Sequence, residues 1–185
     1  MTKRIGLILV AVALAVCAPA TVFAWDSYNS PGNIDIGADA GAGFGLASIY
    51  LAAYPYAEYM VTKFKISDTV PLDIGVEGRG HVAIGLGVGG GGLAAGVGGF
   101  GVVHLGFKGL DIGGFTPYLS KFELYWGLGI AFDLVNTLSS YGAFGLASIA
   151  GFHYWVNDNF AVGLGETYWA GYYDSTLGIR LRLGK

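Results

Sequence analysis

The chain has 185 residues, of which 54% are hydrophobic and only 12% charged, with a formal net charge of −3. An average soluble domain carries about 25% charged residues, and disorder needs low hydrophobicity with high charge, so a disordered chain is excluded. Glycine contributes 33 residues without a three-residue period and proline only 5, which excludes a collagen. No basic patch is present to meet phosphates, so no nucleic-acid partner is expected.

Met1–Arg4 is a short basic start, and Ile5–Val16 is an apolar run too short to span a bilayer comfortably. Thr21-Val22-Phe23-Ala24 then places small residues three and one before a cleavage point. Residues 1–24 therefore read as a secretory signal peptide cut before Trp25. The alternative is a lipoprotein signal ending at Cys17, for which Val16 is a poor preceding residue. Cleavage at Ala24 removes Cys17, the single cysteine, so no thiol remains for a disulfide, a metal or a nucleophile. The expected compartment lies beyond the inner membrane of a bacterial cell. Residues 25–33 form a polar lead-in and residues 34–185 the domain.

The best candidate for a membrane helix after that, Val82–Val103, is free of formal charge but dense with glycine. Each glycine costs about 1 kcal/mol relative to alanine in a helix, so a membrane helix is disfavoured. Alternation with period 2 marks strands with two unlike faces. In chain order, strand one (34–45) sets Ile34, Ile36 and Ala38 against Asp35 and Asp39. Pro55 opens strand two (55–66), with Lys63 and Lys65 opposite Met60 and Phe64. Strand three (70–87) opposes Leu72, Ile74, Val76 and Val82 to Asp73, Glu77, Arg79 and His81. Strand four (91–108) opposes Val97, Val103 and Leu105 to His104 and Lys108. Strand five (117–134) opposes Phe122, Leu124, Trp126 and Leu128 to Lys121, Glu123 and Asp133. Strand six (140–156) opposes Phe144, Leu146 and Phe152 to Gly145, Gly151 and His153. Strand seven is 159–171. Strand eight (175–184) opposes Leu177, Ile179 and Leu181 to Arg180 and Arg182. Turn-forming clusters such as Ser67-Asp68-Thr69, Asn157-Asp158-Asn159 and Tyr173-Asp174-Ser175 separate the runs.

Cations and acids thus share one face, nearly in balance, and the other face is Leu, Ile, Val and aromatic. A membrane barrel turns its apolar face to lipid and keeps its lumen polar; a soluble secreted barrel does the reverse, which would leave a glycine-rich surface with few charges. The membrane barrel is the better fit. Tyr56, Tyr118, Trp126, Tyr154 and Tyr168 then read as interfacial girdles. Glu58 and Glu166 share parity with apolar neighbours. For Glu58 a bulge or a place at the water boundary is expected, and for Glu166 a bulge that turns it inward to join Arg180.

This pattern, a signal peptide followed by eight alternating strands and a charged lumen face, resembles the small eight-stranded bacterial outer-membrane barrels, the class of outer membrane proteins A, X and W. The chain ends Leu181-Arg182-Leu183-Gly184-Lys185 where such barrels usually end in an aromatic residue. The resemblance implies an all-β, eight-stranded antiparallel up-and-down transmembrane barrel, monomeric, with both termini in the periplasm. Leu46–Tyr54, Gly89–Gly92, Val135–Ser140 and Tyr172–Asp174 are then short outer loops.

An eight-stranded barrel is just wide enough inside for side chains to fill it. The expected lumen network is Asp35, Asp39, Lys63, Lys65, Asp73, Glu77, Arg79, His104, Lys108, Lys121, Glu123, His153, Glu166, Arg180 and Arg182. Tight-turn register places Asp35 near Lys65 and Arg182, Lys63 and Lys65 opposite Asp73, Glu77 near His104, and Lys121 near His153. Such charges should pair into a salt-bridged plug, mostly in the half nearer the termini. The glycine-rich opposite half reads either as an open cup or as room for large facing side chains. The expected role is structural, or a narrow pore for small solutes, with outer-membrane lipid as partner. A transporter of small hydrophobic molecules and a lipid-modifying enzyme are the alternatives. No serine falls beside a histidine and no close pair of metal ligands appears, so no enzyme activity, metal or cofactor is expected.

Overall fold

The computed structural model describes residues 25–184 except 46–47, 67–69, 88–89, 111–112 and 139–143. The proposed signal peptide, residues 1–24, lies outside the described residues. Eight strands form one closed barrel: β1 (Ile34–Gly45), β2 (Ser48–Ile66), β3 (Val70–Gly87), β4 (Gly90–Gly106), β5 (Phe122–Asn136), β6 (Phe144–Asn157), β7 (Phe160–Trp169) and β8 (Tyr172–Arg182). Every neighbour in sequence is an antiparallel neighbour in space, and β1 pairs with β8 to close the ring. The chain is an all-β, eight-stranded, antiparallel up-and-down barrel, as the alternation predicts. Closure leaves no unpaired sheet edge. Among the described residues no helix is long and apolar enough to cross a membrane.

Period-2 alternation appears directly in burial. Along β5, Glu123, Tyr125, Gly127, Ala131 and Asp133 face inward, while Leu124, Trp126, Leu128, Ile130 and Phe132 are exposed. The outer wall is apolar around the ring, from Leu86 on β3 (72% exposed) to Leu146 on β6 (77%) and Leu177 on β8 (63%).

Several boundaries differ from the sequence reading. Strand two starts at Ser48, not at 55, so most of the expected Leu46–Tyr54 loop is strand. Pro55 lies inside β2 on the outer face, opposite Ala38 of β1. It lacks an N–H, and the β2–β3 ladder passes from Ala53–Val82 to Tyr56–Arg79 without it. Tyr172–Asp174, expected as a loop, opens β8. The turn there is Ala170-Gly171, both with positive φ, at 44° and 109°. Two left-handed residues match the twist of a two-residue hairpin, and Gly171 supplies the second without steric cost.

The largest correction concerns faces in β2. The β2–β3 register shifts between Met60 and Thr62, with Val61 as the extra residue. Before this bulge the even residues Tyr50, Ala52, Tyr54, Tyr56, Glu58 and Met60 point inward. After it Lys63 does. An extra residue inverts the parity of everything beyond it. Tyr56, expected in an outer girdle, is therefore a lumen residue.

Candidate functional site

The candidate site is the lumen, which is filled in three tiers. The tier nearest the termini is ionic and centres on Arg180 of β8. Its Nη2 lies 2.6 Å from Asp35 Oδ2 and 2.9 Å from Glu58 Oε2, and its Nη1 lies 4.0 Å from Glu123. Arg182 adds two contacts of 3.0 Å to Asp35. His104 lies between two carboxylates, with Nε2 2.7 Å from Glu58 and Nδ1 3.0 Å from Glu123. An ionised carboxylate only accepts, so both bonds are satisfied when the ring carries both protons. His153 Nδ1 reaches Glu123 at 3.3 Å, and its ring stacks on Tyr125 at 4.5 Å. All these side chains are nearly or wholly buried, apart from the partly covered Arg182.

The middle tier is smaller. Arg79 of β3 donates to Glu77 at 2.6 Å and to Asp39 of β1 at 2.7 Å, and its guanidinium lies 4.8 Å from the Tyr56 ring centroid. A planar fork with several N–H groups can serve two carboxylates where a lysine would serve one.

The far tier is aromatic. His81 stacks on Tyr54 at 5.1 Å and lies 5.1 Å from Trp169 and 5.7 Å from Tyr172. Trp169 donates to Asp133 at 2.8 Å, Tyr172 donates to Asn136 at 2.7 Å, and the Tyr54 hydroxyl meets Asp174. Small residues on facing strands make the room. A Cβ on Gly98 of β4 would come within 2.9 Å of the Trp169 ring and 3.1 Å of Phe100. The open cup considered for this half is thus replaced by packed rings.

The lead-in, residues 25–33, closes the mouth beside the termini. Trp25 donates to Gly106 O at 2.9 Å, the Asp26 backbone N–H donates to Lys108 O at 2.7 Å, and Asn29 donates to Glu123 at 2.9 Å. Arg182 donates to Tyr28 O at 2.6 Å and also bonds Asn29. Tyr28 stacks on Trp155 at 5.0 Å and donates to Ser120 O at 2.7 Å. Burial pushes its phenol up to about 12, so the hydroxyl stays a donor at ordinary pH. Asp26 also pairs with Lys63. Burial works to raise the Asp26 carboxyl, but Lys63 and the Ser27 amide outweigh it and hold it below the usual aspartate value.

Of the residues expected in the network, the ionic tier joins Asp35, Glu123, His104, His153, Arg180 and Arg182, and the middle tier joins Asp39, Glu77 and Arg79. Asp73 is buried at a register position between Lys63 and His104. The other expected cations lie at the rim. Lys63 pairs with Asp26, Lys108 pairs with exposed Asp158 at 2.9 Å, Lys65 is exposed, and Lys121 lies over Tyr154. Asp35 sits opposite Glu58 rather than Lys65, and Glu77 opposite Phe100 rather than His104. Glu166 is a correction: β7 carries no bulge against β8, and the side chain stays on the outer wall, opposite Ser175. Glu58 is the missed member. The odd residues of β2, Ile49, Leu51, Ala53, Ala57 and Tyr59, form an equally apolar face, and that signal would have turned Glu58 inward. Among the described residues no group of three or more His, Cys, Asp or Glu is arranged to hold a metal ion.

No protein-family model matches the chain, and no curated protein matches it. Among solved structures, one described as "De novo design of transmembrane beta-barrels" is similar at 15% identity. The alignment covers 84% of this chain and 98% of that one, with a TM-score of 0.43.

Proposed function

We propose that the chain is an integral barrel of a bacterial outer membrane, akin to the class of outer membrane proteins A, X and W, with a structural role and a sealed lumen. The observation that carries this reading is the division of side chains. Every described ion pair of the strands lies inside the ring or at its terminal rim, while the wall outside is apolar all the way round. A soluble monomer rarely exposes a contiguous apolar patch beyond a few hundred Å2, and here the patch is the entire wall. Tyr154, Tyr168 and Tyr173 on the outer face near the strand ends fit an interfacial girdle.

The sealed lumen follows from three tiers with almost no exposed surface. Tyr54, Glu123 and Trp169 are each 0% exposed, so a solute would meet packed rings and then paired charges. This favours the structural role over the narrow pore. Lipid is the partner that the wall requires, and a monomer suffices to satisfy it.

The test is refolding of the full chain into vesicles, followed by conductance in a planar bilayer. A protease-resistant band whose gel mobility changes on boiling, together with electrical silence, is the expected result. Discrete salt-dependent current steps would overturn the sealed reading and restore the pore. Failure to insert would overturn the membrane reading.

A further inference from the structure

The apolar belt of the outer wall is not equally tall all the way round. On β5 seven apolar side chains alternate outward, from Phe122 to Leu134. On β7 there are three, Phe160, Val162 and Leu164, followed by Glu166 and Tyr168. On β8 there are again three, Leu181, Ile179 and Leu177, followed by Ser175 and Tyr173. Alternate residues stand about 5 Å apart along the barrel axis at 3.3 Å per residue and a tilt near 40°. The belt is therefore about 30 Å tall at β5 and about 10 Å tall at β7 and β8.

Both counts start from nearly the same level. Phe122, Tyr154, Val162 and Ile179 are successive register partners across β5 to β8. Register partners followed round the ring from Asp35 return to β1 just beyond Phe44, so each step to the next strand climbs about 3 Å toward the side away from the termini. Phe160, two residues below Val162, is thus level with Phe122 to within about 2 Å. The difference arises at the far side. There Glu166 and Ser175 are register partners, as are Tyr168 and Tyr173, and the Tyr173 hydroxyl interacts with the Glu166 carboxylate. Among the described residues Glu166 is the one formally charged side chain on the outer wall of the strands, and it is exposed.

Resting on the membrane reading above, we propose that the bilayer dips beside β7 and β8. The far-side headgroup layer and its water come down the wall to Glu166, and the hydrocarbon is thinned there while it keeps its full depth at β5. Hydrocarbon offers a carboxylate no donor, and the cost of a charge on the lipid face falls toward the interface. A hydrocarbon core about 30 Å thick matches the belt of β5, so the mismatch is confined to one sector. A bilayer meets a short apolar span by thinning. Tyrosine belongs at the boundary between apolar chains and water, and Tyr168 and Tyr173 stand there. A second copy laid on this sector would set another Glu166 against the first, so hydrated headgroups are the occupant that the charge admits. The barrel then deforms the membrane on one side as well as resting in it.

The experiment compares two positions on the wall of the full chain, with Cys17→Ser as background. Ser175→Cys and Phe132→Cys each carry an environment-sensitive fluorophore, and each is refolded into phosphatidylcholine vesicles. Phe132 stands about 6 Å nearer the far side than Ser175, so a flat bilayer would leave its label at least as wet. The dip reverses this order. Iodide in the water should quench the label at 175 about threefold or more over the label at 132, and a nitroxide deep in the acyl chains should do the opposite. The contrast should shrink in vesicles of shorter acyl chains, where less thinning is needed. Equal quenching at the two positions, or a contrast unchanged by chain length, overturns the proposal. So does a label at 175 that is shielded from iodide in chains that cross-link as dimers. Gel mobility of the same samples separates the two readings. Folded barrels without the contrast sink the dip alone, whereas chains that never insert sink both.

Discussion

Replacing Arg180 with methionine removes the hub of the ionic tier while keeping an unbranched apolar side chain in its place. The structure says how much charge this strands. Asp35 keeps Arg182 at 3.0 Å, Glu58 keeps His104 at 2.7 Å, and Glu123 keeps His104, His153 and Asn29. No acid is left alone, so the deficit is one uncompensated buried charge rather than three. Breaking a buried pair from one side costs about 3–5 kcal/mol, and Arg180→Met should destabilise the barrel by about that amount. Glu58→Gln in the same chain removes the matching negative charge and should return more than half of the loss. Lys108→Met, which breaks a pair whose side chains are 45% and 75% exposed, should cost under about 1 kcal/mol. The assay is urea unfolding of the vesicle-refolded barrel followed by tryptophan fluorescence, with unchanged slopes as the condition for comparing midpoints. A loss below about 1 kcal/mol for Arg180→Met, or no recovery in the double variant, would refute the view that these charges hold each other in a dry lumen.

Neighbouring glycines on opposite faces of β4 should respond oppositely. Gly98→Ala puts a Cβ against Trp169 and Phe100 and should cost about 1–3 kcal/mol, whereas Gly99→Ala meets nothing within 4 Å and should stay within about 0.5 kcal/mol, both read in the same urea titration. Trp169→Ala empties the centre of the aromatic tier and should cost about 3–5 kcal/mol. A cost under half of that would mean the rings close over the gap. Asp26, outside the strands, gives a pH test. Its lowered carboxyl favours the folded state fully above the ordinary aspartate value, and that contribution fades as pH falls through the lowered one. Asp26→Asn should therefore flatten the decline in unfolding midpoint between about pH 5 and pH 2, and a decline as steep as in the unaltered chain would exclude the Lys63 pair as its source.

The barrel was legible in the sequence because outer wall and lumen carry opposite chemistries on alternate residues, and β3 and β8 obey this without interruption. Reading failed where one residue was added. Val61 inverts β2, and with it the assignment of Tyr56 and Glu58, and the one signal of it is the apolar odd face of Ile49, Leu51, Ala53, Ala57 and Tyr59. Glu166 was misread for the converse reason: a bulge was assumed to rescue a charge that the structure leaves facing out. The ionic tier was legible as residue types, since buried charges must pair, but not as partners. A register error of seven residues exchanges Lys65 for Glu58 opposite Asp35. The role of the lead-in was invisible, because its contacts are remote and scattered, from Lys63 through Gly106 and Glu123 to Arg182 near the other end of the sequence.

That distance has a consequence in time. Arg182, near the end of the chain, grips Tyr28 and Asn29, and it stands 154 positions beyond Tyr28 in the sequence. The grip cannot form until β8 has been laid against β1, so the Arg182 contacts of Tyr28 and Asn29 close last, after those that residues 25–33 make to Met60, Gly106 and Glu123 have become available. Contacts this remote in sequence are the slowest to form. The lead-in thus works as a completion latch, and its protection from a protease would date the moment at which the ring closes.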